Sequence, residues 1–122
     1  QADLKKRVCG RGGLAAHLGT TDIPAIERAI AEGDKQAELV LNAMIYQVAK
    51  SIGGAAVALY GKVDAILLTG GLAYSEYITS KIAERVDFLA PVHVYPGEDE
   101  MQAMADNAFA VLKGEREVMT YA

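Results

Sequence analysis

The sequence holds a single cysteine, Cys9, and no apolar run that approaches the roughly eighteen or more residues of a membrane-spanning helix. One thiol cannot close an internal disulfide and has no second thiol for a cysteine-based metal site. A reducing, cytoplasmic setting is therefore expected, with Cys9 a passive thiol. The chain opens on Gln1 rather than Met, and no signal-peptide pattern follows, so the sequence is read as an internal piece of a longer chain. Net charge is also scarce: 12 Lys and Arg against 16 Asp and Glu leave −4, with a pI near 5.1. That balance provides no broad electrostatic footprint for nucleic acid or an acidic membrane, and neither partner is expected. The one basic cluster, Lys5, Lys6, Arg7 and Arg11, is read as a solvated segment near a chain end, with a phosphate contact as the alternative. Repeats, low-complexity tracts and long linkers are missing, and the Gly-rich stretch from Gly10 to Gly19 is the only candidate flexible connection.

What is present is an ordinary globular composition, 52% hydrophobic and 23% charged over 122 residues, enough for one modest domain. Helical character begins at Thr21 or Asp22 as N-cap, with Pro24 in the first turn and Ile23, Ile26 and Ile30 on one face, and ends near Gly33. A longer helix is predicted from Lys35 to Leu59 on the stripe Val40, Met44, Val48, Ile52, Ala55, Ala56 and Leu59. Gly53 and Gly54 interrupt it at a cost of roughly 1 kcal/mol each relative to alanine, which suggests close packing against another backbone or a kink. Val63 to Thr69 reads as a short, fully buried strand stopped by Gly70 and Gly71. A helix from Ser75 to about Phe88 follows, with Ile78, Ile82 and Val86 on its apolar face, and Pro91 breaks the chain. Val92 to Tyr95 is a second strand, Pro96-Gly97 a turn, and Glu98, Asp99 and Glu100 lead into a last helix with Met101, Met104, Ala105, Ala108, Val111 and Leu112 on its core face. Strand, helix, strand, helix is the pattern of parallel βαβ units with a right-handed crossover, so the fold class is α/β. Two strands are few for this many helices, and further strands are expected upstream.

The segment that points to chemistry is Asp64 to Ser75, where a strand runs into two glycines and a helix start. Ligands of open α/β sheets sit beyond the carboxyl ends of strands. Glycines there admit a flat ring or a phosphate close to the backbone, and a helix N-terminus offers N–H donors. The same two glycines are equally a plain tight turn chosen for its dihedrals. The segment is neither a P-loop nor a Gly-x-Gly-x-x-Gly fingerprint.

The strand, Thr69-Gly70-Gly71 and the small Ala73 resemble the adenosine motif of the superfamily of acetate and sugar kinases, heat-shock ATPases and actin. Within it, Gly12-Gly13-Leu14 through Leu18-Gly19-Thr20-Thr21-Asp22, then Thr69 to Ser75, then Val94 to Met101 resemble the butyrate-kinase branch of the acetokinase family in both order and spacing. The resemblance spans nearly the whole chain but only about the last third of a family member. Acetate kinases typically carry Gly-Gly-Ile-Gly-Glu-Asn where this chain has Gly70-Gly71-Leu72-Ala73-Tyr74-Ser75, which favours the butyrate branch. They also carry an Asp-x-Arg near the nucleotide, whereas this chain has Asp22-Ile23-Pro24 and lacks the arginine. By resemblance, residues 1–122 form the C-terminal portion of the second, nucleotide-binding domain of a two-domain kinase, a partial ribonuclease H-like, actin-like ATPase fold. Gly70, Gly71, Leu72, Ala73 and Tyr74 then border the adenosine of ATP, with Ser75 at the helix start; Tyr74 either stacks near the base or packs at the domain surface.

The resemblance further implies ATP or ADP with Mg2+, a short-chain carboxylic acid as acceptor, and a homo-oligomer. The magnesium-binding acids, phosphate loops and acyl pocket are expected upstream, so no catalytic or metal residue is assigned within this chain. Glu98, Asp99 and Glu100 are read as helix-start charges, with magnesium chelation as the alternative. His93 is read as a packed or edge residue of its strand. His17 falls near the cleft by resemblance and receives no role; neither histidine has a partner at metal-ligand spacing. Other readings are an acetate or propionate kinase fragment, or a non-catalytic nucleotide-binding or oligomerisation module that buries the long helix against a partner.

Overall fold

The computed structural model describes residues 10, 12–97 and 100–117. Cys9, the basic cluster, Glu98 and Asp99 lie outside the described residues. Within the stretch expected to be a flexible connection there is instead a short helix, α1 (Leu14–Leu18), whose Leu14 is buried in the core. Leu14 and Leu18 stand four residues apart, so a single helical turn suffices to turn both inward. Helix α2 (Ile23–Ala31) starts where Asp22 Oδ1 accepts the Ala25 N–H at 3.3 Å, and it buries Ile23 and Ile26.

Helix α3 (Lys35–Ala58) is the longest element. Asp34 caps it twice, accepting from the N–H groups of Gln36 at 2.9 Å and Ala37 at 3.0 Å. Asp34→Ala is expected to cost the protein about 1 kcal/mol, since an N-cap carboxylate serves donors that the helix itself leaves unpaired. Urea unfolding of the variant beside its parent measures this; an unchanged midpoint would mean water replaces the cap without loss. The buried stripe of α3 is Ala37, Leu41, Ile45, Ala49 and Ala56; Ala56 is as expected, but the rest lies one position away from the expected Val40, Met44 and Val48, and Ala55 is exposed. Val40, Met44, Val48 and Ile52 are half-buried against the core, while Leu59 is 55% exposed. Gly53 and Gly54 neither break α3 nor sit against another backbone, because a Cβ at either would meet nothing within 4 Å. The helix ends at Ala58 with Leu59 as C-cap, and Tyr60 follows in the left-handed region at φ 55°.

Strand β1 (Ile66–Gly70) pairs in parallel with β2 (Val92–Pro96), in the register Ile66 to Val92 through Gly70 to Pro96. The expected full burial of β1 is not met. Ile66 is buried, but Leu67 is 60% exposed, because helices cover one face of this two-stranded sheet and nothing described covers the other. His93 lies within β2 and is exposed. Between the strands run a 3-10 turn (Gly71–Tyr74) and helix α4 (Glu76–Val86), which buries Ile78, Ile82 and Val86 as the periodicity requires. Helix α5 (Glu100–Leu112) departs from expectation. Met104 is 58% exposed and Leu112 80%, since no other described element packs along the face they share. The core therefore sits among α1 to α4 and the covered face of β1.

Candidate functional site

The carboxyl end of β1 is shaped by Gly70. Its φ of 85° and ψ of −176° lie in a region that essentially only glycine occupies, so the strand turns there in a way no side-chain-bearing residue permits without strain. Gly70 also exchanges two backbone hydrogen bonds with Gly97, at 3.0 and 3.2 Å, which draws the exit of β2 against the exit of β1. Gly97 itself has φ 101°, and a Cβ placed on it would stand 2.8 Å from the Tyr74 hydroxyl. Tyr74 thus lies across Gly97 while staying 73% exposed.

Beyond Gly70 the 3-10 turn presents Gly71 and Leu72 to the exterior and sinks Ala73, 6% exposed, into the core. A Cβ on Gly71 would meet nothing within 4 Å, so the space above it is open to a ligand. Ser75 closes the turn and is itself only 9% exposed. Its N–H donates to the Leu72 carbonyl at 3.1 Å, its Oγ accepts the Ile78 N–H at 3.0 Å, and its hydroxyl proton goes to Glu27 Oε1 on α2. Ser75 therefore fastens the loop from beneath, and of the N–H donors at this helix start that of Ile78 is already taken.

An apolar groove of about 350 Å3 runs alongside, bounded by Met44, Val48 and Ile52 of α3, by β1, and by Leu72 and Ala73 of the turn. A second cavity of about 520 Å3, between α1 and α3, shares Met44 and includes His17 on its rim. The structure thus brings five features of the expected site together: Gly70, Gly71, Leu72, Tyr74 and the buried pair Ala73 and Ser75. His17 and His93 do not join them. No three His, Cys, Asp or Glu side chains gather within metal-binding reach among the described residues, and none of their helices is long and apolar enough to cross a membrane.

Sequence reasoning misses two residues of this site. Gly97 reads as part of a Pro-Gly turn, and only the fold shows that it abuts Gly70 and Tyr74. Glu27 carries no signal, because its partner Ser75 lies 48 positions away.

The strand, the glycine-shaped turn and the capped helix belong to a family of phosphotransferases: the Acetokinase family profile matches residues 1–113, and the chain belongs to that family. A particular relative is close as well. The chain is 66% identical over 119 residues, 98% of its own length, to a protein named probable butyrate kinase from Bacteroides thetaiotaomicron. That alignment takes in 34% of the relative, so the chain spans about a third of the length of the curated protein it matches.

Proposed function

We propose that this chain is the C-terminal portion of the second, nucleotide-binding domain of a two-domain butyrate kinase with a ribonuclease H-like, actin-like fold. The reaction is transfer of the ATP γ-phosphoryl group to the carboxylate of butyrate or a related short-chain fatty acid. A carboxylate oxygen forms the new bond to phosphorus as the bond to the β-γ bridging oxygen breaks, giving an acyl phosphate and ADP. Such transfer depends on positioning and on cations that neutralise the moving group, with little covalent work for the protein. The observation that carries the reading is the open face of Gly71, Leu72 and Tyr74 at the carboxyl end of β1, in a chain so similar to a probable butyrate kinase.

In this reading Gly71, Leu72 and Tyr74 form the wall facing adenosine, while Gly70, Ala73 and Ser75 shape it from behind. Apolar and uncharged, such a wall suits a purine ring and ribose better than phosphates. Magnesium arrives with the nucleotide phosphates and is held by residues elsewhere in the kinase. The protein works in the cytoplasm as a homo-oligomer, a reading supported by exposed apolar side chains such as Val57 at 75% and Phe88 at 78%.

The test is acyl-phosphate formation by the full-length kinase with ATP and Mg2+, trapped as the hydroxamate, with acetate, propionate, butyrate and isobutyrate compared. The four-carbon acids are expected to give the highest kcat/KM. Activity on acetate alone would move the protein to the neighbouring branch, and inactivity with every acid would overturn the reaction while leaving a nucleotide-binding fold.

A further inference from the structure

We infer that Glu27 is a positioning residue for the nucleotide wall, acting through Ser75; this rests on the assignment of Gly70 to Tyr74 to that wall. The loop is poor in anchors. Between Gly70 and Ser75 only Tyr74 and Ser75 carry a polar side-chain atom, and Tyr74 is 73% exposed. Beyond backbone bonds, the burial of Ala73 and the contact of Tyr74 with Gly97, the buried polar anchor left to the 3-10 turn is Ser75. A helix that starts on a serine commonly receives help from a glutamate three residues on, in a reciprocal capping box. In α4 that place is taken by Ile78, which is 2% exposed and committed to the core.

Glu27 brings a carboxylate from another helix, to the Ser75 hydroxyl rather than to its N–H, which donates to the Leu72 carbonyl. Its Oε1 accepts the Ser75 hydroxyl proton while Ser75 Oγ accepts from the Ile78 N–H, so the hydroxyl has one donor and one acceptor and a fixed direction. A carboxylate acceptor makes the bond charge-assisted, and it places negative charge beside the positive end of the α4 dipole. The Ser75 carbonyl is engaged too, accepting from the N–H and the Oγ of Thr79, each at 3.0 Å. Glu27 is half-buried, on a helix seated in the core through Ile23 and Ile26. Only this bond and that from the Tyr77 hydroxyl to Asn42 Oδ1 join side chains of distant elements among the described residues, and only this one reaches the loop.

Four variants of the full-length kinase test the inference: Glu27→Ala, Glu27→Gln, Ser75→Ala, and the double variant Glu27→Ala with Ser75→Ala. Glu27→Ala is expected to raise KM for ATP about tenfold, with kcat and KM for butyrate within about twofold of the parent, as loss of uniform binding predicts. Glu27→Gln keeps an acceptor oxygen and should stay within about threefold. The double variant should be no worse than the poorer single one, because both remove the same bond. A lower melting temperature with an unchanged KM for ATP would reduce Glu27 to a structural role and overturn the inference, as would additive effects of the two alanines. Gly71→Val serves as the control for the underlying reading. If it raises KM for ATP and Glu27→Ala does not, the inference alone falls; if Gly71→Val leaves KM unchanged, the wall itself is misassigned and the inference falls with it.

Discussion

Leu41→Ala is expected to destabilise the protein by about 2 to 5 kcal/mol, the loss typical of truncating a fully buried leucine. Leu41 is 0% exposed and stands where α3 meets the rest of the core, next to Ile45 at 1% and Ala37 at 3%. Removing the isopropyl end of its side chain takes away transfer free energy and leaves a cavity that the flanking helices cannot close without shifting their own buried isoleucines. Leu39, two residues earlier, is 64% exposed, and its truncation should change stability by no more than about 0.5 kcal/mol. Chemical unfolding of both variants beside the parent measures the contrast. Equal losses would mean that some other part of the protein covers the Leu39 face of α3. A small loss at Leu41 would mean that α3 is seated on a different stripe.

That contrast also marks how far the fold is legible from the residues. Helix α4 is readable because Ile78, Ile82 and Val86 recur every fourth residue with polar residues between, and all three are buried. The extent of α3 is legible to within a residue, but its apolar positions form two adjoining stripes, one through Leu41 and Ile45 and one through Val40 and Met44. Periodicity cannot rank such neighbours; only the helices that pack on α3 do. The burial of β1 depends in the same way on what lies over each face of the sheet, which is a tertiary fact. Met104 and Leu112 satisfy a helical pattern and still remain exposed on α5, because patterning records which face is apolar and not whether anything covers it.

The site is legible to a similar depth. Gly70 and Gly71 stand out because they stop an apolar strand at a helix start, a pattern shared by a plain tight turn and a ligand loop, and the resemblance in order and spacing favours the second. Their division of labour does not, since identical residues give identical letters whether the backbone or the space above it requires them. The 3-10 turn has too few residues for any period, and the bond from Ser75 to Glu27 joins helices that only the fold brings together. Asp22, by contrast, needs nothing beyond its neighbours: a carboxylate before an apolar-periodic segment is a cap, and it caps.

The two glycines supply the other large expected effect, because the same alteration at each should fail for a different reason. Gly70→Ala forces a Cβ into φ 85°, ψ −176°, a conformation that costs side-chain-bearing residues about 1 to 3 kcal/mol, so stability and nucleotide binding should fall together. Gly71→Val meets no such barrier, having open space where its side chain would go and a φ outside the left-handed region. Its unfolding midpoint should stay close to the parent's. Yet in the proposed reading the valine would occupy the surface facing adenosine, and crowding of that order amounts to about 1 to 3 kcal/mol, or roughly a five- to hundredfold rise in KM for ATP. KM for butyrate should hold, since the proposed reading puts the acyl pocket elsewhere in the kinase. Initial rates of the full-length kinase against ATP, with thermal melts of the same preparations, separate the two effects. Should Gly71→Val bind ATP as the parent does, adenosine lies off this turn, and the glycine pair would be explained by the dihedrals of Gly70 alone.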